Sequence, residues 1–133
     1  MALKRSPGGS IFPYPYKGGE LFGLHLGSFR GNEEGLLERM KAEETFILET
    51  HRQFPLWIDF YQDRLTDRVL LEFLKTVGHT RNNITKLALV GFSFWDRIRL
   101  RRLVKKTSFE FPMPLRFFSD PEVAKTWLVS DAS

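Results

Sequence analysis

Apolar side chains fall along this chain in two alternating rhythms. Short, nearly continuous apolar stretches have the rhythm of strands, and longer stretches in which apolar residues return every third or fourth position have that of helices. The strongest of the first kind is Leu87-Ala88-Leu89-Val90-Gly91, behind Lys86: five uncharged residues, mostly branched or small, predict a parallel strand buried on both faces. Gly91 then permits a tight turn or a close backbone approach. Leu56 to Tyr61, introduced by Pro55, predicts a second buried strand, Leu115 to Phe118 a last one, and Glu20 to Phe29, weakened by two glycines, a first one.

Helical spacing fills the intervals. Asn32 is placed to cap a helix from Glu33 to about His51, with Glu33 and Glu34 in its first turn and Leu36, Leu37, Met40, Ile47 and Leu48 on its apolar side. Thr66 or Asp67 can cap the next, whose stripe is Leu70, Phe73, Leu74 and Val77 and which stops at Gly78. Phe92-Ser93-Phe94-Trp95-Asp96 reads as a loop into a helix from Arg97 to Lys106, with Leu100, Leu103 and Val104 on one side. Pro112 and Pro114 hold an extended connector, and Asp120-Pro121-Glu122 starts a final helix that buries Ala124, Trp127 and Leu128. Strands and helices alternate four times over. That order predicts a single α/β domain over residues 20–130, with a mainly parallel sheet of about four or five strands covered by about four helices. Met1 to Gly19, broken by prolines and glycines, reads as a flexible arm; the alternative is that Ile11 to Tyr16 packs as an extended edge with its prolines on the unpaired side.

Charge sharpens one element. The chain of 133 residues carries a formal charge of +4. Residues 95–106 hold six basic side chains against Asp96 alone, so the excess is a patch and the rest of the chain is close to neutral. Arg97, Arg99, Arg101, Arg102, Lys105 and Lys106 spread over the arc opposite Leu100, with Ile98 inside that arc and Trp95 near its edge. The absence of cysteine excludes disulfides, thiolate metal sites and cysteine nucleophiles. Lys4 and Arg5 are not followed by the apolar segment of a signal peptide, and no apolar run approaches a membrane span, so a cytoplasmic protein is expected.

Three segments resemble the STAS-like superfamily, and most closely its SpoIIAA-like (STAS/SEC14-type) branch. Lys86 to Gly91 with Trp95 is similar to the branch's "K-hydrophobic-A-hydrophobic-V-G … W". Leu115-Arg116-Phe117-Phe118 with Ala124, Trp127 and Leu128 is similar to its closing "hydrophobic-R-x-F … A-x-x-W-L", and Leu56 to Asp59 to its strand ending in aspartate. These are core and turn positions, which specify fold more than function. The resemblance implies a STAS-like domain that binds a partner or small ligand through loops and helices. Anti-sigma-factor antagonists of this superfamily carry a switch serine after an aspartate at a helix start. Here Asp67 matches that aspartate and Arg68 stands in the serine's place, so the phospho-switch is absent from the expectation.

The residues themselves offer little catalysis. Asp59, Asp63 and Asp67 gather near a strand's carboxyl end, where hard cations bind, but Arg64 and Arg68 are interleaved and ion pairing and capping is the expected role. Ser93 lacks the second glycine of a nucleophile elbow, and His25, His51 and His79 all precede it, the reverse of the order such hydrolases use. Asp96 is expected to cap the basic helix and occupy its anion-attracting end. No enzyme, cofactor or metal is expected. The expected function is a regulatory or protein-interaction module that meets an acidic protein surface through Trp95, Arg97, Ile98, Arg101, Arg102 and Lys105, with Asp67 and Arg68 at the neighbouring helix start. Phe92, Phe94 and Trp95 are expected to close over the core, the other reading being that they line an apolar ligand pocket or a homodimer contact. The alternative function is a carrier or sensor of a small apolar or anionic ligand, at an anionic membrane surface. Nucleic acid is disfavoured: no RNP, KH or helix-turn-helix signature is present.

Overall fold

The computed structural model describes residues 3–132. It is an α/β fold: strands β1 (Lys4–Arg5), β2 (Ile11–Phe12), β3 (Tyr14–Tyr16), β4 (Gly19–His25), β5 (Phe54–Asp59), β6 (Ile84–Val90) and β7 (Leu115–Phe118), with helices α1 (Glu33–Thr50), α2 (Asp67–His79), α3 (Phe94–Thr107) and α4 (Pro121–Leu128). The main sheet has five strands in the order β3-β4-β5-β6-β7. It is mixed. Strands β4 to β7 run parallel, as expected, but β3 pairs antiparallel with β4. The reason is local: Lys17 and Gly18 both have positive φ (44° and 83°), the two-residue hairpin geometry that reverses a chain at once.

The parallel strands step across the sheet in one direction, and right-handed crossovers then put every connecting helix on the same side. Side chains confirm it by their alternation. Phe22, Leu24, Leu56, Ile58, Leu87 and Leu89 share a core with apolar residues of α1, α2 and α3, among them Met40, Phe73 and Leu100. Their neighbours Leu21, Trp57, Ala88 and Val90 point the other way, onto Ala124, Trp127 and Leu128 of α4. The interior strands are therefore buried on both faces, as their unbroken apolar sequence requires.

Boundaries shift for physical reasons. Strand β5 starts at Phe54, ahead of Pro55, and its register with β6 slips between Phe54 and Leu56, where proline has no N–H to give. Toward the N-terminus, β1 and β2 form a short ribbon, and Phe12, 5% exposed, sits edge-on to Phe22 and Phe54 at ring distances of 5.3 and 5.1 Å. Glu43, fully buried on α1, accepts hydrogen bonds from Ser6 Oγ and Gly8 N, both at 3.1 Å. Among the described residues no helix is long and apolar enough to cross a membrane.

Candidate functional site

The end of β6 sets the site. Gly91 leaves the strand at φ +91°, and a Cβ there would lie 2.7 Å from Tyr61 N and 3.0 Å from Phe60 C, so only glycine lets the two loops touch. Phe92 then turns inward. It is 9% exposed, edge-on to Phe60 at 5.5 Å and tilted against Phe117 at 5.4 Å, and so closes the core beneath the loop. Ser93 is the N-cap of α3, with its Oγ accepting from Asp96 N at 3.1 Å while Asp96 Oδ2 accepts from Ser93 N at 2.9 Å. This corrects the expectation that Asp96 itself is the cap and that the helix begins at Arg97: a serine three residues before an aspartate closes a reciprocal capping box, and the helix starts at Phe94.

The earlier start also corrects the expectation that Phe94 and Trp95 close over the core, which Phe92 alone of the three does. Phe94 and Trp95 are first-turn helical residues facing out, 67% and 69% exposed, with their rings in an edge-to-face pair at 5.3 Å. Ile98, 40% exposed, is one turn on. At 100° per residue, Phe94, Ile98, Arg101 and Lys105 fall within about 60° of one another, a single line down the outer face of α3. Tyr61, whose backbone Gly91 approaches, is also exposed, at 59%.

The basic residues divide by partner. On the side facing α2, Arg102 reaches Asp67 at 3.4 Å, and Arg99 reaches Asp96 at 3.5 Å and Asp67 at 3.8 Å, donating also to the Leu65 carbonyl. Arg97 lies over the Phe117 ring at 4.8 Å. Arg101, Lys105 and Lys106, all exposed, have no acidic partner among the described residues. Arg68 belongs elsewhere. It pairs with Glu33 at 3.1 Å and Glu34 at 2.5 Å across to α1, and the hydrogen bond it donates to Glu34 holds its guanidinium firmly protonated. Glu33 is kept below the usual carboxylate range, chiefly by a hydrogen bond from Thr66. Of the expected site, the fold thus brings Phe94, Trp95, Ile98, Arg101 and Lys105 onto one outer face. Arg102 and Asp67 neutralise each other at its margin, Arg97 flanks it, Arg68 turns away to α1, and Phe92 is core.

No family model, curated protein or solved structure matches the chain.

Most of the remaining polar groups near the strand ends have structural partners. Asp59 Oδ1 accepts from Tyr61 N and Asp63 Oδ1 from Phe29 N, each at 2.8 Å. Desolvation pushes the Asp63 carboxyl up to about 6, the Phe29 bond only partly opposing it, and its second oxygen is buried without a partner. His79 contacts Glu44 at 3.2 Å, His25 stands edge-on to Trp57 at 5.1 Å, and His51 caps α1. Grooves on the surface include about 590 Å³ between β7 and α4, about 530 Å³ between α1 and α2, about 440 Å³ beside Leu71 and Phe109, and about 360 Å³ beside Asp63 and Arg99. None of these is lined by Phe94, Trp95 or Ile98, which are exposed outside them.

Proposed function

We propose that this chain is a non-enzymatic docking module of STAS/SpoIIAA-like type, which engages an acidic partner surface through the outer face of α3 and the loop before it. The observation that carries the reading is the outward line of Phe94, Ile98, Arg101 and Lys105 with Trp95 at its side: two large aromatic groups left in water, then cations left unpaired. Neither feature helps the fold, since exposed aromatics bury nothing and an unpaired surface cation contributes almost no stability. A docking surface is the physical use that remains.

Topology supports docking over ligand carriage. Ligand crevices in open α/β sheets form where the strand order reverses, and β4 to β7 step in one direction throughout. A pocket under the β6–α3 loop would need the space that Phe92 fills. The STAS-like part of the reading draws support from a contact between the segments that carry the resemblance. Lys86 Nζ donates to the carbonyls of Trp127 and Ser130 at 3.1 and 2.8 Å and lies 4.9 Å from the Trp127 ring, while the Arg116 guanidinium lies 5.4 Å from the same ring. With Arg68 at the place of the switch serine, and bound to Glu33 and Glu34, binding here is not gated by phosphorylation at that position.

A photo-crosslinking residue at position 95, introduced into the full chain in its native cell, tests the reading. An adduct that disappears when Arg101→Glu and Lys105→Glu are added supports it. Adducts from a crosslinker at Lys41 and none from position 95 would put the contact surface elsewhere.

A further inference from the structure

Resting on that reading of α3, we infer that the acidic surface it meets is an anionic lipid bilayer. Three observations point there. The contact face is apolar and exposed: Phe94 and Trp95 are 67% and 69% exposed, and covering such rings takes either a matching cavity in a rigid partner or a soft medium that closes around them. The face is also ordered along the helix, with Phe94, Trp95 and Ile98 in the first turn and a half and Arg101, Lys105 and Lys106 behind them. Aromatic and aliphatic groups beside unpaired cations are what an interfacial helix presents to the boundary between acyl chains and headgroups.

The third observation separates lipid from protein. The outward arc of α3 carries apolar groups and hydrogen-bond donors, and no side-chain acceptor; its one carboxylate, Asp96, is turned back into the cap. Protein interfaces mix donors and acceptors at about one hydrogen bond per 100–200 Å². An anionic headgroup layer is dense in phosphate oxygens, acceptors that a surface of cationic donors meets with charge-assisted hydrogen bonds.

Tryptophan fluorescence reads the contact directly. Trp57 and Trp127 are 7% and 6% exposed, whereas Trp95 is 69% exposed, so a change on adding vesicles reports Trp95. The full chain is titrated with vesicles of phosphatidylcholine alone and of phosphatidylcholine with phosphatidylglycerol in equal parts. Expected are a blue shift and protection from acrylamide with the mixed vesicles only, both reversed by high salt. Each cation near an anionic surface is worth a factor of roughly 5, so Arg101→Gln with Lys105→Gln weakens vesicle binding roughly 25-fold. Lys41→Gln, an exposed cation on α1, leaves it unchanged. No binding to either vesicle, equal binding to both, or indifference to the double substitution overturns the lipid assignment. If vesicles fail while the crosslinker at position 95 still captures a protein in a charge-dependent way, docking through α3 stands and the lipid partner falls. If both fail, the docking reading falls too.

Discussion

Replacing Gly91 by alanine isolates the close approach on which the α3 tip depends. Two costs are involved, and the chain supplies a control for one of them. Gly31 has the same φ of +91° as Gly91, but a Cβ at Gly31 has nothing within 4 Å, whereas at Gly91 it meets Tyr61 N at 2.7 Å, Phe60 C at 3.0 Å and Tyr61 Cα at 3.1 Å. Alanine at either position incurs the left-handed backbone penalty, about 1–2 kcal/mol. Only at Gly91 must backbone also move, because the blocking atoms belong to the main chain between Phe60 and Tyr61 and cannot swing aside. Overpacking of that kind adds about 1–3 kcal/mol. Gly31→Ala should therefore lose about 1–2 kcal/mol and Gly91→Ala about 2–5 kcal/mol, a difference of roughly 5–10 °C in Tm for a domain of this size. Urea and thermal unfolding followed by circular dichroism measure both, and an unchanged urea dependence keeps the comparison two-state. Equal losses in the two variants would falsify the claim that the contact with the Tyr61 loop, rather than backbone conformation alone, requires glycine at position 91.

Three further outcomes follow from the polar groups. Burial raises the Glu43 carboxyl, so the folded state favours its protonated form. Glu43→Gln should keep the bond from Gly8 and be neutral or stabilising at pH 7, while Glu43→Ala should cost about 2–4 kcal/mol by stranding Ser6 and Gly8; chemical denaturation of the pair decides. Asp63, at about 6 when folded against an ordinary 3.8, binds its proton more tightly in the native state, so it lowers stability as pH rises from about 4 to above 6, by about 1–2 kcal/mol once solvent screening is allowed for; Asp63→Asn should flatten that part of a stability–pH curve. Ser93→Ala removes the cap of α3 and should cost about 1 kcal/mol in the same unfolding measurement.

Legibility followed the range of the interactions. Strands β5 to β7 and helices α1 to α4 could be read from the chain because each is specified by its own apolar period and its own cap, as at Asn32, Thr66 and Asp120. The start of α3 was legible too, in the spacing of Ser93 and Asp96, but the weight given to the basic run drew the boundary to Arg97. What could not be read is what depends on distant partners. Glu43 looks like a solvated acid on a helix until Ser6 and Gly8 are folded over it. Phe12, in a stretch dense with proline and glycine, is buried by Phe22, Phe46 and Phe54. The candidate site divided in the same way. Ile98 and Trp95 beside cations were visible in the periodicity, whereas which cations are neutralised was not, because Arg68 finds Glu33 and Arg102 finds Asp67 only once α1, α2 and α3 lie side by side.

That side-by-side layer also explains why the outer cations of α3 have no acidic partner among the described residues. Helix α1 is acidic, and four of its acids find partners within the molecule: Glu33 and Glu34 in Arg68, Glu43 in Ser6 and Gly8, Glu44 in His79. Helix α3 has a neighbour on one side only, and Asp67 there satisfies Arg99 and Arg102. Its outer cations have no element facing them. Leu100 and Leu103 anchor the helix, Ser93 caps it and Gly91 sets its entry, so everything that holds α3 in place lies on the side away from Phe94, Arg101 and Lys105. Substitutions on the outer line should accordingly leave unfolding midpoints where they are while abolishing contact with a partner. A variant that loses both together has disturbed the anchor and says nothing about docking.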